Sequence, residues 1–400
     1  MFALGLAALA DYEVSFAVFD QGQPTRERIE GIALFTLPRS RSLDERWLPH
    51  LRERVHRREG FPWLSVESVS GGSAALLWEL PLAAALRAIE PLRRRLYLQR
   101  LDYPPRRRAL AAIDADVYCT LGTHHITAEV VAFCRRRRRK SLLLLSSDYD
   151  LLTQYYSGSR ERNIYGEVGH VCHYGLAGSD RIIAQTDYQR ALLKSRFGRE
   201  SDLVANPIDL SDTPPPAPRA AREGHALWVG KADDYKRPEL CLELADRCPG
   251  IPFKMIVNRA AEGRFERVVE ARGPNVEVIE QVPPHKMGGF FRGAAVLVNT
   301  SAYEGFPNTF LEAGKFGVPV VSLVADPDGF LSKHGCGIAA GGSLDRMAEA
   351  LRLLWSGGPS AERFSQNIRT YVETHHDRAK CVADFEAVVR QLGDAESSTS

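Results

Sequence analysis

The sequence lacks long apolar runs, paired cysteine motifs and a marked excess of charge of either sign. A membrane-spanning helix needs about 20 mostly apolar residues, and the most apolar stretch, 74–92, is interrupted by Glu79, Pro81, Arg87 and Glu90. The first residues, MFALGLAALADYEV, have no basic segment before the apolar one, so they do not resemble a secretory signal peptide. These absences predict a cytoplasmic protein without a transmembrane segment.

The sequence also lacks the cysteine and histidine patterns that disulfide frameworks and metal sites require. The seven cysteines are scattered and include no C-x-x-C pair, which argues against a disulfide framework or a structural zinc site and favours a reducing compartment. The histidines at 124, 125, 170 and 173 have no third partner at a strong ligand spacing. We therefore expect no metal ion.

The charge balance argues against a nucleic-acid partner. With 52 basic and 50 acidic residues, the formal net charge is only +2, whereas nucleic-acid binding normally needs a strongly basic face. One segment is different, because 87–140 holds 14 basic and 5 acidic residues, with clusters at 93–95, 106–108 and 135–140. We favour a solvated, arginine-rich helix end, and the alternative is peripheral contact with an anionic membrane that presents a lipid-linked acceptor.

The length of 400 residues, at 44.5 kDa, fits two domains better than one hydrophobic core. The stretch SDTPPPAPRAAREG, 211–224, has four prolines in five positions, which excludes a helix or central strand and indicates a linker. The predicted organisation is a first domain, a linker, a second domain, a C-terminal helix returning to the first domain, and a disordered tail. Their ranges are 1–209, 210–223, 224–375, 376–392 and 393–400. The resemblance described below implies acceptor binding for the first domain and donor binding for the second.

The second half alternates short β-branched runs with helical patterns, which predicts a doubly wound parallel sheet of the Rossmann-like α/β class. Its predicted strands are 225–230, 253–258, 276–279, 295–299 and 318–323, and its predicted helices are 238–247, 262–272, 285–292, 309–316 and 344–354.

The first half has the same character, with predicted strands at 13–19, 116–119, 142–146 and 181–185. Domains of this class usually open with a strand and a glycine-rich turn, and here the chain begins in what reads as the helix 2–10. The first domain is thus expected to lack its opening strand, from a downstream start or a truncated product.

The most informative segment is AVLVNTSAYEGFPNTFLEAGKFGVPVVSL, 295–323. A buried strand ends near Asn299, and a helix is expected to begin with Asn308 or Thr309 as its N-cap. Gly305 would let the backbone approach a ligand closely. The N–H groups of 308–311, at the positive end of the helix, suit a phosphate.

Charged side chains flank this segment. Glu304 lies in the loop and Glu312 in the helix, eight residues apart, where both carboxylates could accept hydrogen bonds from sugar hydroxyls. Lys231 follows the first strand of the same half and Lys236 precedes a helix. Two ammonium groups there would neutralise a diphosphate leaving group without a metal.

These residues resemble the retaining family-4 glycosyltransferases of the GT-B fold, which have two Rossmann-like domains. The segment EGFPNTFLEAGKFGVPVV carries the E-x7-E spacing of that family, and VGKADDYKRPEL is similar to its phosphate-clamp segment. IEQVPP resembles the turn that receives the nucleobase. In the first half, SDRIIAQTDYQRALLKSRFG and LVANPID resemble the last strand, helix and exit strand of the acceptor domain.

The resemblance implies a role for each matched residue. Glu312 would hold the ribose hydroxyls, Glu304 would contact the transferred sugar, and Lys231 and Lys236 would bind the pyrophosphate. The remaining donor-binding residues would be Gly230, Val282, Gly305, Phe306, Pro307, Asn308 and Thr309. On the acceptor side, Asp148 follows the strand where many relatives have a histidine, and His124 and His125 are further candidates for lining the acceptor site.

The implied reaction transfers a hexose from a nucleotide diphosphate sugar to a saccharide or lipid-linked acceptor, with retention and without a cofactor. Cell-surface polysaccharide synthesis is the expected context. Two alternatives stay open at this point. One is a catalytically inactive relative that still binds nucleotide sugars, and the other is a phosphorylase-like GT-B enzyme with a lysine-linked pyridoxal cofactor.

Overall fold

The computed structural model describes residues 104–211, 213, 224–260 and 263–394, with short stretches at 7–9, 12–19, 28–29, 32–37, 85 and 88. The predicted helix 2–10, the arginine cluster 93–95, residues 214–223 of the linker and residues 395–400 of the tail lie wholly or mostly outside the described residues.

Nine of the described strands overlap the nine runs predicted from the apolar pattern, and four further strands do not. Their bounds are β1 (Ser15–Phe19), β2 (Arg28–Ile29), β3 (Ile32–Leu37), β4 (Val117–Leu121), β5 (Lys140–Leu144), β6 (Arg181–Ala184), β7 (Asp202–Leu203), β8 (Ala226–Lys231), β9 (Phe253–Asn258), β10 (Val276–Glu280), β11 (Val296–Asn299), β12 (Val320–Ser322) and β13 (Gly337–Ala339).

The described helices alternate with these strands. Their bounds are α1 (Pro104–Ile113), α2 (His125–Arg137), α3 (Gly169–Gly178), α4 (Asp187–Phe197), α5 (Pro238–Arg247), α6 (Arg264–Glu270), α7 (Pro284–Gly293), α8 (Asn308–Lys315), α9 (Leu344–Trp355), α10 (Gly358–His375) and α11 (Arg378–Asp394).

The second half forms a six-stranded sheet in the order β10-β9-β8-β11-β12-β13. All its neighbouring strands are parallel, and the order is that of a Rossmann fold, which confirms the predicted class. Trp228 on β8, Met255 on β9 and Leu351 on α9 belong to one buried cluster, and Phe310 of α8 and Val372 of α10 belong to another. Strands covered on both faces explain the near-continuous apolar runs of this half.

The first half contains a four-stranded parallel sheet in the order β4-β5-β6-β7 and a separate three-stranded sheet in the order β1-β3-β2. In the three-stranded sheet, β1 pairs parallel and β2 antiparallel with β3. The chain divides into two compact units: one contains β4 to β13 with α3 to α11, and the other contains β1 to β3, α1 and most of α2.

The C-terminal region consists of two helices. Helix α10 ends at His375 and α11 begins at Arg378. Between them, the His376 amide donates to the Val372 carbonyl oxygen at 3.0 Å, and the His376 carbonyl oxygen accepts the Ile208 amide at 2.9 Å. The Nδ1 of His376 lies 2.8 Å from the Asn206 carbonyl oxygen, and Asp377 forms a parallel bridge with Ile208. Helix α11 then contacts β4. The break in the helix therefore redirects the chain onto elements of the first half.

Candidate active site

The candidate site lies where the strand order of the six-stranded sheet reverses, between β8 and β11. In open α/β sheets, ligands bind beyond the carboxyl ends of strands at this point. Lys231 ends β8 and is exposed, while Asn299 ends β11 and is buried. In the part of the chain that the structure describes, the Lys231 ammonium makes no hydrogen bond or ion pair. It is thus available to an anionic ligand.

The loops after these two strands are held together by a buried network. The Trp228 indole donates to Thr300 Oγ1 at 2.9 Å, and this hydroxyl donates to the Lys236 carbonyl oxygen at 2.8 Å. Arg237 has a left-handed φ of 51° and donates to the carbonyl oxygens of Thr300 and Ser301 at 2.7 and 2.9 Å. The network fixes Lys236 beside the loop that carries the first carboxylate.

That carboxylate belongs to Glu304, which is 9% exposed. Lys236 Nζ lies 2.5 Å from Glu304 Oε1, and the Tyr235 hydroxyl donates to Oε2 at 3.4 Å. The Asn299 amide donates to Oε1 at 3.3 Å. Two residues predicted separately from sequence therefore form one ion pair, and the side chains of Tyr235 and Asn299 orient its carboxylate.

Gly305 is required because a side chain at this position would clash with residues of the first half. A Cβ here would lie 2.6 Å from Gln185 Oε1, 2.8 Å from Gln189 Nε2 and 3.1 Å from the Ser146 carbonyl oxygen. These atoms follow β5 and β6 or belong to α4 of the first half. The close approach at Gly305 is thus to the protein itself, between the two parallel sheets.

The start of α8 differs from the predicted one. Pro307 is the N-cap, without a side-chain capping bond, and Asn308 is the first helical residue. The Phe306 amide donates to Gln185 Oε1 at 2.8 Å, and the Phe310 amide donates to the Pro307 carbonyl oxygen at 2.9 Å. Because both amides have partners, Asn308 and Thr309 remain as the backbone donors for a ligand at this helix end.

Glu312 occupies the second turn of α8 and is partly buried. Burial raises the pKa of its carboxyl, and the Lys315 ammonium opposes this rise. Within the described ranges, neither carboxylate oxygen has a hydrogen-bond partner. A partly desolvated acceptor of this kind suits ligand hydroxyls, which would supply the missing donors.

The other two predicted donor contacts lie on the same sheet. Gly230 is buried near the end of β8, and a Cβ there would lie 2.7 Å from the Trp228 ring, so tight packing within the strand requires glycine. Val282 follows β10, is partly buried, and packs on the apolar cluster around α8. Both residues lie at the carboxyl ends of parallel strands of one sheet, β8 and β10, which are separated by β9, and ligands of such sheets bind at this edge.

Asp148 lies next to Glu304. It begins a short 3-10 turn after β5, and its amide donates to the Glu304 carbonyl oxygen at 3.2 Å. Burial raises the pKa of its carboxyl to about 7, and the neighbouring Glu304, Asp150 and Asp328 carboxylates act in the same direction. The structure therefore brings Asp148, Glu304 and Lys236 together.

Replacing Asp148 with Asn should stabilise the protein more as the pH rises. The Asp148 carboxyl has a pKa of about 7 in the folded protein and 3.8 in the unfolded chain. Between these pH values the folded state binds more protons than the unfolded state, so the free energy of unfolding of the wild type falls as the pH rises. We expect the free energy of unfolding of Asp148→Asn, measured relative to wild type, to increase by about 2–3 kcal/mol from pH 5 to pH 8. Urea unfolding at both values measures this, with exposed Asp384→Asn as the control, and a difference that does not change with pH would contradict the assignment.

The two candidate histidines have other partners. The Ile126 amide donates to His124 Nδ1 at 3.2 Å, which leaves Nε2 to donate to the Leu121 carbonyl oxygen at 3.1 Å, and burial lowers the pKa of this imidazole. His125 begins α2 and places Nδ1 2.7 Å from Glu167 Oε1. Among the described residues, neither histidine bonds to Glu304 or Asp148.

Asp150 is a structural residue that sequence inspection missed. Its buried carboxylate accepts hydrogen bonds from the Thr123 and Ser146 amides, both at 2.6 Å, from Ser146 Oγ at 2.8 Å and from the Ser147 amide at 3.0 Å. It thereby joins the loops after β4 and β5 and places Asp148 at its position. The only signal in the sequence was an acidic residue two positions after Asp148.

The arginine clusters are only partly exposed. Arg106 is 2% exposed and lies 2.5 Å from Glu129, so it does not contribute to a basic surface. Arg139 pairs with Asp114 and Asp116, each at 2.7 Å, while the residues at 135–138 are exposed. Across the described residues, no helix has the length and apolarity to span a membrane, and no group of three or more His, Cys, Asp or Glu side chains could hold a metal ion.

Comparison with known proteins gives a family match in the second half of the chain. Residues 216–371 match the family described as glycosyl transferases group 1. This segment is similar to the members of that family. A curated relative, the D-inositol 3-phosphate glycosyltransferase of Pseudarthrobacter chlorophenolicus, is 29% identical over 187 residues, which are 42% of this chain and 44% of the relative. The chain thus spans less than half the length of that relative.

Solved structures place the glycosyl transferase segment within a GT-B fold. Sucrose-phosphate synthase from Thermosynechococcus elongatus aligns with a TM-score of 0.68 and 15% identity, over 98% of this chain and 92% of its own. The HepE protein of Anabaena, solved with UDP and glucose, aligns with a TM-score of 0.56 and 13% identity, over 70% of this chain and 80% of its own. The fold is therefore two Rossmann-like domains, as the sequence predicts.

Proposed function

We propose that the protein is a retaining glycosyltransferase that moves a hexose from a nucleotide diphosphate sugar to a saccharide or glycolipid. The observation that carries this is the ion pair between buried Glu304 and Lys236. It lies where the strand order of the six-stranded sheet reverses, in the segment that matches glycosyl transferases group 1. The UDP and glucose in the HepE structure support a UDP-linked hexose as the first donor to test.

The donor would lie across the carboxyl ends of β8, β10 and β11. Glu312 would accept hydrogen bonds from the ribose hydroxyls, and the backbone of Val282 would contact the base. Lys231 and the amides of Asn308 and Thr309 would bind the diphosphate, because cations and helix N-termini stabilise phosphate oxygens.

Glu304 would accept a hydrogen bond from the transferred sugar, held in place by Lys236. As the bond between the anomeric carbon and the phosphate oxygen breaks, the acceptor oxygen would attack on the same face. Its proton would pass to the departing phosphate oxygen. Lys231, Lys236 and the helix amides would stabilise the charge that develops there, a role we assign without a metal or cofactor.

The acceptor and the cellular setting follow from the same proposal. We assign acceptor binding to the first half, where Asp148 lies nearest to Glu304. Cell-surface polysaccharide or glycolipid synthesis in the cytoplasm is the proposed context, with no nucleic-acid partner. The exposed arginines at 135–138 would provide any peripheral contact with an anionic membrane.

Nucleotide binding tests this proposal through thermal unfolding. One of UDP, GDP and ADP should stabilise the protein, since a ligand at about 100 times its dissociation constant contributes about 2.7 kcal/mol. We expect Glu312→Ala to lose most of that shift, because the ribose hydroxyls lose their acceptor. Exposed Glu349→Ala, on α9 of the same half, should keep it. No shift with any nucleotide, or an equal shift in all three proteins, would overturn the donor site.

A further inference from the structure

Four tyrosines form a cluster beside the proposed position of the transferred sugar. The tyrosine cluster consists of Tyr149, Tyr165, Tyr235 and Tyr303. Three rings meet Tyr149 edge to face, with centroid distances of 5.5 Å for Tyr165, 5.8 Å for Tyr303 and 6.5 Å for Tyr235. The rings of Tyr235 and Tyr303 are stacked at 6.4 Å. Residues from both halves of the chain therefore build one aromatic surface.

Two members of the tyrosine cluster are largely open to solvent. Tyr165 is 61% exposed and Tyr303 is 47% exposed, while Tyr149 is buried beneath them. Exposed aromatic rings gathered in one patch are uncommon on a soluble protein and mark binding sites more often than scattered ones do. The arrangement leaves ring surface for a ligand above a buried base.

The loop that presents Tyr165 is built around Asn163. The Asn163 Oδ1 accepts the amides of Tyr165 and Glu167 at 2.9 and 3.0 Å, and its Nδ2 donates to the Tyr155 hydroxyl at 2.8 Å. The adjacent Ile164 amide donates to the Tyr149 hydroxyl at 2.8 Å. The ring of Tyr165 is thus attached to a backbone fixed by side-chain hydrogen bonds, which reduces the entropy lost on binding a ligand.

The tyrosine cluster connects directly to the proposed catalytic carboxylate. The Tyr235 hydroxyl donates to Glu304 Oε2 at 3.4 Å, and Lys236 Nζ lies 4.8 Å from the centre of the Tyr235 ring. Aromatic rings next to carboxylates suit a saccharide, because the rings pack against the apolar face of a pyranose while the carboxylates accept its hydroxyls. The aliphatic chain of a lipid has no hydroxyl groups to donate to a carboxylate.

We infer that the tyrosine cluster is the acceptor subsite and binds a pyranose ring, which places the acceptor hydroxyl beside Glu304. This inference rests on the proposed function and adds the chemical class of the acceptor and the residues that select it. Tyr165 and Tyr303 bind the ring faces, and Tyr149 supports both from below.

Saturation-transfer NMR with simple sugars tests the inference without requiring the natural acceptor. The probes are methyl α-glucopyranoside, methyl α-galactopyranoside and methyl α-mannopyranoside, added in the presence of the nucleotide that stabilises the protein. At least one should bind wild type, and Tyr165→Ala and Tyr303→Ala should each weaken its binding about tenfold. Tyr165→Phe and Tyr303→Phe should stay within about threefold of wild type, because the ring remains.

Two exposed tyrosines outside the cluster serve as matched controls. Tyr156 and Tyr188 are 51% and 53% exposed, and their Ala variants should leave sugar binding unchanged. All variants should keep the thermal shift with nucleotide, because the tyrosines are not assigned to the donor site. If wild type itself shows no shift with nucleotide, the proposed function is refuted. The inference alone is refuted if nucleotide binds while no sugar binds wild type, or if Tyr156→Ala weakens sugar binding as much as Tyr165→Ala.

Discussion

Replacing Lys236 with Met should lower the free energy of unfolding by about 2–4 kcal/mol. The substitution keeps the length of the side chain and removes only its charge, which leaves the buried Glu304 carboxylate without the ammonium that lies 2.5 Å away. The hydrogen bonds from Tyr235 and Asn299 remain, at 3.4 and 3.3 Å, so we expect the loss to stay below that of a fully isolated buried charge. Urea unfolding measures the difference.

Lys231→Met is the matched control for this prediction. Lys231 is exposed at the end of β8, and removing an unpaired surface charge changes stability by at most about 0.5 kcal/mol. The two lysines are only five positions apart and both fit the sequence motif. Equal losses in the two variants would contradict the assignment of Lys236 as the partner of Glu304.

Glu304→Gln should reduce sugar transfer by about 10²–10³-fold, the loss that follows removal of one oriented polar contact to a transition state. Gln has nearly the same shape, its Oε1 can still accept hydrogen bonds from Lys236 and Asn299, and its Nε2 can donate to the Tyr235 hydroxyl, so the loop should keep its conformation. Nucleotide binding should persist, because we assign the ribose contact to Glu312 and the diphosphate contacts to Lys231 and the start of α8.

The comparison for this variant is Glu349→Gln, an exposed substitution in the same half. It should transfer sugar at the wild-type rate and show the wild-type thermal shift with nucleotide. If Glu304→Gln loses nucleotide binding together with transfer, the loop has been disrupted, and the role of Glu304 in contacting the sugar would have to be abandoned.

The architecture of the second half was readable from the sequence because its strands are buried on both faces. Continuous apolar runs such as FKMIVN and AVLVN stand out against the amphipathic helices between them, and the predicted strand at 253–258 has the observed bounds. The E-x7-E motif then located two carboxylates on consecutive elements, since loop and helix are contiguous in the chain.

Contacts between distant segments were not readable in the same way. Gln185 reaches the Phe306 amide across 121 positions of sequence, and Gly305 packs against Ser146 and Gln189. The local sequence pattern predicts a glycine turn or the start of a helix. It does not predict which side chain from a distant segment packs against that position. The contacts of Phe306 and Gly305 with residues of the first half could therefore not be predicted from the sequence.

The same limit explains why the tyrosine cluster and Asp150 were missed. The tyrosines lie at positions 149, 165, 235 and 303, a spacing with no periodicity that predicts a common surface. Asp150 resembles any acidic turn residue until the folded loops bring four hydrogen-bond donors to its carboxylate. Only the packing of several parallel strands at one edge brings such residues together.

The most direct test of a retaining glycosyltransferase is the anomeric configuration of its product. The purified protein would be incubated with the sugar conjugate of the nucleotide that stabilises it and with the methyl glycoside that binds it, and the product would be followed by proton NMR from the first turnover. If the protein is a retaining glycosyltransferase, wild type forms a new glycosidic bond with the anomeric configuration of the donor, and Glu304→Gln does not. An inverted product, or bound nucleotide sugar that is never transferred to any of the three glycosides, would contradict it.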